Sequence, residues 1–413
     1  MKYSLEQLFK KLIVFILTLT VNASFAQTRI EGLLYLDNKP VSIEIKDGKI
    51  ISVQPIDKLS DESHTLFIAP GLIDNQVNGF AGVSFCFGGG ELNKEGILKA
   101  TYELWKKGVT TYLPTLTTNA KEVLLRNFTL LANTKNDEAL HGSIPGYHLE
   151  GPYVSPEDGY RGAHPLKYVH KPDWQEFMEF YEASGRNILT ITVAPELEGA
   201  MDFIRKCTAI GITVAIGHHN ASKAIVDEAV ANGAKISTHL GNGCANMINR
   251  HNNPLWPQLA NDQLIASIIC DGFHLLDEEI AVFYKVKGPE KTIITSDVTG
   301  FAGLPPGNYK NEEGETIELT KEGMLRYPAQ NVLYGSASPI SRGVTHIMKV
   351  TGCTLGEAIQ MASTNPAKLY GLTDRGSIEP GKRADLILFE LGDSELTIRK
   401  TYVAGNLVYD SSK

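Results

Sequence analysis

The stretch that decides the fold runs from Ile188 to Leu240, "ILTITVAPELEGAMDFIRKCTAIGITVAIGHHNASKAIVDEAVANGAKISTHL". Its apolar runs "ILTITVAPE", "ITVAIGHH" and "AKISTHL" are strand-length. Between them lie "AMDFIRKCTAIG" and "KAIVDEAVANG", whose apolar residues fall at helical spacing. Short apolar strands alternating with amphipathic helices are the βα pattern. The middle run ends on Gly217 and the adjacent histidines His218 and His219. A buried-looking strand that stops on imidazoles is either capped by polar residues or presents a ligand.

The same alternation extends outward, from roughly Ala69 to Gly371. "VTTYLPTL", "SIPGYHLEG", "LIASIICDG" and "KTIITSDVTG" are further strand-like runs. That many units predicts an α/β fold with a closed (β/α)8 TIM-like barrel. A doubly wound open sheet is the rival architecture, but no GxGxxG follows the first strand. The two ends of the chain differ from the middle. "RIEGLLYLDNKPVSIEIKDGKIISVQPI" and "GSIEPGKRADLILFELGDSELTIRKTYVAGNLVYD" show short strands punctuated by turn signals such as Asp37-Asn38, Asp47-Gly48 and Pro380-Gly381. They predict a small β-sandwich built from both termini. The expected domains are a sandwich part at 27–69, the barrel at 70–371 and the second sandwich part at 372–413.

The first 26 residues are set apart. Lys2, Lys10 and Lys11 precede the short apolar run "LIVFILTLTV", and "NASFAQ" supplies small residues before Gln27. This is the order of a secretory signal peptide, with an apolar stretch short for a membrane span. An uncleaved anchor is the alternative. The expectation is therefore an exported, periplasmic protein without stable membrane insertion after cleavage, and a cytoplasmic one if the segment is not a signal. No cysteine stands at the cleavage point to carry a lipid anchor.

Composition narrows the rest. The 413 residues are 43% hydrophobic and 21% charged, with a net charge of -8. No basic stripe or Lys/Arg run is present, so the electrostatic footprint of a nucleic-acid partner is missing. The cysteines Cys86, Cys207, Cys244, Cys270 and Cys353 are scattered without a CxxC pair, which argues against a disulfide framework or a cysteine zinc site.

Several strand-like runs end in a group able to bind metal or move a proton. Glu150 follows "PGYHL", His218 follows "TVAIG", His239 follows "KIST" and Asp297 follows "TIITS". In a barrel these ends meet at one mouth, where barrel active sites lie. Two histidines and a carboxylate make a ligand set for Zn2+ with an open position for water. Asp297 could take a proton from that water and pass it to a leaving group, or it could merely cap the next helix. Fe2+ and Co2+ suit the same donors.

These residues and their surroundings resemble the amidohydrolase superfamily, and within it the N-acetylglucosamine-6-phosphate deacetylase family. The matching motifs include "APGLIDNQVNGFAGVSF", "HLEGPYVSPEDGYRGAHP", "GHHNAS", "STHLGNG", "CDGFHL", "TSDVTGFAG", "GSASPISRGV", "STNPAKLYG" and "GSIEPGKRADLILF", which run in family order from residue 69 to 389. The resemblance implies metal-dependent hydrolysis of the acetamide of N-acetylglucosamine 6-phosphate, with Asp297 as general base. It implies a single metal ion, Zn2+ or else Fe2+ or Co2+, held by Glu150, His218 and His239. Gln76 and Asn78 stand where many relatives carry a His-x-His pair for a first metal, so that first site is vestigial here. His164 resembles a histidine that binds and polarises the acetamide, and His274 another that contacts substrate. Asn242 and Gly243 lie in the loop that would cradle the sugar phosphate. Arg250 falls at the spacing of a phosphate-binding arginine contributed by a neighbouring subunit, which implies a homodimer; an exposed loop charge is the alternative. His219 takes the register of a small polar residue, beside the ligand and not one itself.

The chain also departs from the family. Where "THLYNAM" is usual, it has "THLGNGCANM", with Gly241 and Gly243 in place of the aromatic and the alanine. Together with the N-terminal segment, this keeps other substrates open: an unphosphorylated N-acetylated amino sugar or an N-acyl-D-amino acid. A non-catalytic sugar-binding relic is a further alternative.

Overall fold

The computed structural model describes residues 27–60, 66–86, 92–311, 314–329 and 332–413. The expected signal peptide at residues 1–26 lies outside the described residues. No helix among the described residues is long and apolar enough to cross a membrane.

Eight strands run side by side in chain order: β1 (Leu72–Val77), β2 (Val109–Thr117), β3 (Tyr147–Glu150), β4 (Ile188–Val193), β5 (Thr213–Ile216), β6 (Ala234–Ser237), β7 (Ile265–Ile269) and β8 (Thr292–Thr295). Every ladder among them is parallel. Residues of β1, β2, β3, β5 and β8 are buried along their full lengths. A strand covered on both faces loses its polar alternation, which is why each reads as a short apolar run. Helices Lys94–Trp105, Lys121–Thr134, Trp174–Ala183, Ala200–Ala209, Lys223–Ala231, Asp277–Lys287 and Ile340–Thr351 supply the outer layer. Local chemistry sets their starts. Asp173, for example, accepts from Gln175 N at 2.8 Å and Glu176 N at 3.1 Å, capping the helix that follows. Between β8 and β1 the ring is shut mainly by loop and side-chain bonds. Asn78 N donates to Val298 O at 2.8 Å, and Asp74 Oδ1 accepts from Ser296 N at 3.2 Å and Thr295 Oγ1 at 3.3 Å.

Both termini meet in one seven-stranded sheet. Phe67–Pro70 pairs parallel with Thr28–Leu34 and antiparallel with Leu386–Leu391, joining the two ends of the chain. The sheet folds back on itself: Ile50 N donates to Lys382 O at 2.9 Å and Ala384 N to Gly48 O at 2.9 Å. Ile43, Ile50, Ile68 and Leu386 fill the space between its halves.

One element is absent from the sequence reading. Gly307–Lys310, Thr316–Leu319, Leu325–Tyr327 and Val332–Leu333 form a four-stranded antiparallel sheet inserted between β8 and helix Ile340–Thr351. It has its own small core of Phe301, Ile317, Leu325, Tyr327 and Tyr334. Its strands are two to four residues long. Barrel strands of four residues still read as apolar runs, whereas half-exposed strands this short offer too few alternations for a period-two pattern to stand out.

Candidate active site at the barrel mouth

Glu150 is the last residue of β3, and His218, His239 and Asp297 each lie two residues past the end of β5, β6 and β8. These three all have positive φ, 51°, 28° and 53°. Left-handed backbone costs an L-residue roughly 1–2 kcal/mol. Its recurrence at three strand ends marks a conformation held for the site. All four side chains are buried, with relative exposures of 3% for Glu150, 7% for His218, 4% for His239 and 9% for Asp297.

They converge closely. His239 Nε2 is 3.0 Å from Glu150 Oε1 and 3.0 Å from His218 Nε2, and His218 Nε2 is 3.4 Å from Glu150 Oε1. Donors about 2.1 Å from a tetrahedral ion stand about 3.4 Å apart, so this triangle fits a metal with one open position. The tautomer agrees. His218 Nδ1 lies 2.9 Å from Tyr160 O, a carbonyl that can only accept, so Nδ1 keeps a proton and Nε2 is the nitrogen available to bind a metal in place of its own proton. Glu150, His164 and His218 also each offer an atom within 4.8 Å of one another, which makes His164 a further candidate donor. His239 is assigned the third position because its Nε2 comes within 3.0 Å of both Glu150 Oε1 and His218 Nε2.

The two carboxylates are tuned apart. Burial pushes Glu150 upward, but its hydrogen bonds with His218 and His239 win and hold it well below the usual range. Burial, and then the charge of Glu150, push Asp297 up to about 6, against the pull of His239, His274 and Asn78. A ligand kept anionic beside a carboxylate poised near neutrality is the division of labour that acid–base chemistry needs. Gln76 and Asn78 both reach Asp297. Gln76 Nε2 donates to its Oδ1 at 2.9 Å and to Glu150 Oε1 at 3.1 Å, and Asn78 Nδ2 donates to Asp297 Oδ1 at 2.7 Å.

The other expected residues fall in different places. His164 meets the His218 ring edge-on at 4.3 Å, with its Nδ1 2.7 Å from Thr118 Oγ1. Burial, then the neighbouring His218, lower its pKa to about 3, so it is neutral. His274 Nδ1 lies 2.8 Å from Asp271 Oδ2, while Asp271 Oδ1 accepts from Phe273 N and His274 N at 2.8 and 2.9 Å. Asn242 follows His239 in the same loop and keeps its Nδ2 buried without a partner among the described residues. Gly243 has φ +60°, and a Cβ there would stand 2.9 Å from His218 Nδ1, so the loop backbone presses on the imidazole where no side chain fits. At Gly241 a Cβ would meet Leu275 Cδ2 at 2.6 Å, which accounts locally for the missing aromatic. Arg250 is exposed at the edge of this loop, apart from the buried cluster. His219 turns away: its Nδ1 accepts from Ala221 N at 3.1 Å.

Sequence reading overlooked the residues that hold these groups. Asp271 was visible inside "CDGFHL", and its short polar side chain three residues before His274 was the available signal. Thr118 and the Tyr160 carbonyl gave none, because they reach the site across 46 and 58 residues of chain.

Comparison with known proteins extends the geometry. Residues 67–408 match the family described as the amidohydrolase family. The N-acetylglucosamine-6-phosphate deacetylase of Bos taurus is 31% identical over 383 residues, covering 88% of this chain and 90% of that protein. The protein of that name from Homo sapiens is 31% identical over 355 residues, covering 83% and 84%. The crystal structure of N-acetylglucosamine-6-phosphate deacetylase from Thermotoga maritima superposes with a TM-score of 0.81 at 27% identity, over 93% of this chain and 100% of that one.

Proposed function

This chain belongs to the amidohydrolase family, and on that premise we propose that it hydrolyses the acetamide of N-acetylglucosamine 6-phosphate to acetate and glucosamine 6-phosphate. The observation that carries the reading is the buried triangle of Glu150, His218 and His239 with Asp297 beside it, in a chain alike over most of its length to deacetylases of that name.

The reaction depends on a divalent metal ion, for which Glu150 Oε1, His218 Nε2 and His239 Nε2 are the proposed ligands; the donors suit Zn2+ first, and Fe2+ or Co2+ as well. When bound, it polarises the acetamide carbonyl and lowers the pKa of water from ~15.7 toward ~7. Asp297 takes a proton from the attacking water and returns it to the departing amine nitrogen. The neutral His164 donates to the acetamide oxygen through Nε2, which requires its Nδ1 to accept from the Thr118 hydroxyl at 2.7 Å. His274 is held for substrate by Asp271. Asn242 and Gly243 serve the sugar phosphate, and Arg250 completes that site across a homodimer.

Export through the N-terminal segment is part of the proposal. A second reading, an unphosphorylated N-acetylated amino sugar, is favoured by that export and, separately, by the loop after β6, which carries Gly241 and Gly243 where the family's phosphate cradle has larger residues. Acetate release from N-acetylglucosamine with and without its 6-phosphate, with metal content measured on the same sample, separates the two. Faster turnover of the phosphorylated sugar is expected. Turnover of neither sugar by metal-loaded protein overturns the deacetylase reading.

A further inference from the structure

Gln76 and Asn78 mark a lost metal site, but their hydrogen bonds do more than fill its space. Both side chains are almost fully buried, at 2% and 3% exposure. Both direct their nitrogens at carboxylate oxygens. Gln76 Nε2 spans Glu150 Oε1 and Asp297 Oδ1, at 3.1 and 2.9 Å, and Asn78 Nδ2 reaches Asp297 Oδ1 at 2.7 Å. The orientation of the amides follows from chemistry: turned over, each would set a carbonyl oxygen against an anionic one. Asn78 accepts a penalty for this aim, since its own Oδ1 is buried without a partner among the described residues. An amide kept only for packing would have no reason to leave its acceptor unmet.

We infer that Gln76 and Asn78 are positioning residues: a pair of amides that clamps Oδ1 of Asp297, leaves Oδ2 to carry the proton, and ties the base to the ligand Glu150. Oδ1 already accepts two short, charge-assisted bonds, while Oδ2 accepts none from a described residue. The single Gln76 nitrogen fixes the spacing between Asp297 and Glu150, so the proton acceptor keeps a constant place relative to the metal ligands. Two neutral donors thus fix one oxygen of the base, at positions where a His-x-His pair would hold a cation. The inference rests on the reading of Asp297 as the general base.

The test uses Gln76→Met and Asn78→Leu, near-isosteric changes that remove the donors, singly and together. Metal content, kcat, KM and a crystal structure of the double variant are measured against the wild-type protein. The clamp requires metal to stay at about one ion per chain and KM for N-acetylglucosamine 6-phosphate to stay within about threefold, while kcat falls about tenfold in each single variant and ~10²–10³-fold in the double. In the double variant the Asp297 carboxylate leaves its present place while Glu150, His218 and His239 keep theirs. A kcat within threefold of wild type overturns the clamp, as does a loss of rate that only follows loss of metal. Should the wild-type protein itself fail to release acetate, the deacetylase reading falls. The crystal structure then decides alone, and an Asp297 unmoved in the double variant refutes the clamp.

Discussion

Asp297 lies in the same buried cluster as Glu150, yet the two carboxylates are driven in opposite directions. Burial and the Glu150 charge raise Asp297 to about 6, whereas hydrogen bonds from two imidazoles keep Glu150 anionic. Replacing Asp297→Asn keeps the shape and the strand end but removes the proton acceptor. Turnover should drop by about 10³-fold, within the range for a lost general base, with metal content unchanged. Steady-state kinetics and metal analysis on one preparation check this, and near-normal turnover would unseat Asp297 as base. The adjacent histidines separate just as cleanly. His218→Ala removes a donor from the triangle and should lose the metal. His219→Ser should keep it, because the His219 ring is turned to Ala221 N and its pKa is lowered to about 4, first by burial. Metal per chain after dialysis reads both, and the opposite pattern would shift the ligand register by one residue. At this scale the sequence disclosed the charged and ligating groups, since each follows an apolar run. It could not disclose what Gln76 does, because its partner Asp297 is 221 residues away.

At the scale of elements, the weakest seam of the barrel is where β8 meets β1, and Asp74 holds it. Its Oδ1 accepts from Ser296 N and Thr295 Oγ1. Complete burial outweighs these bonds and raises its pKa from 3.8 to about 6. A carboxyl with a raised folded pKa lends stability that is present below its unfolded value and lost as pH rises through its folded one. The window for Asp74 is therefore about pH 4 to 6. Asp74→Asn, which cannot titrate, should lose this dependence: the stability of wild type relative to the variant should rise by ~2–3 kcal/mol as pH falls from 6 to 4. Urea unfolding of both proteins across that range checks it, and a constant difference would mean that Asp74 is not buried as described. Asp74→Ala should be worse than Asn at every pH, because Ser296 N and Thr295 Oγ1 lose their acceptor. The eight strands were legible because burial on both faces leaves uninterrupted apolar runs. The inserted sheet at 307–333 was not, since its half-exposed strands alternate over so few residues that turn and strand signals merge.

The whole molecule sets the (β/α)8 ring beside a sheet woven from both chain ends, which join where Phe67–Pro70 pairs with Leu386–Leu391. That architecture was readable because two β-patterned ends flank one βα-patterned middle. The role of the exposed Arg250 was not, because no pattern within the sequence says what an exposed loop charge faces. The central claim concerns the molecule with its metal: a barrel mouth that hydrolyses an acetamide only when the Glu150, His218 and His239 triangle is filled. The most direct measurement is acetate release from N-acetylglucosamine 6-phosphate by one preparation as purified, after chelation, and after Zn2+ is restored. Activity should fall at least ~10²-fold on stripping and return in proportion to metal bound, saturating at about one ion per chain. Undiminished turnover by protein shown to be metal-free would contradict the claim.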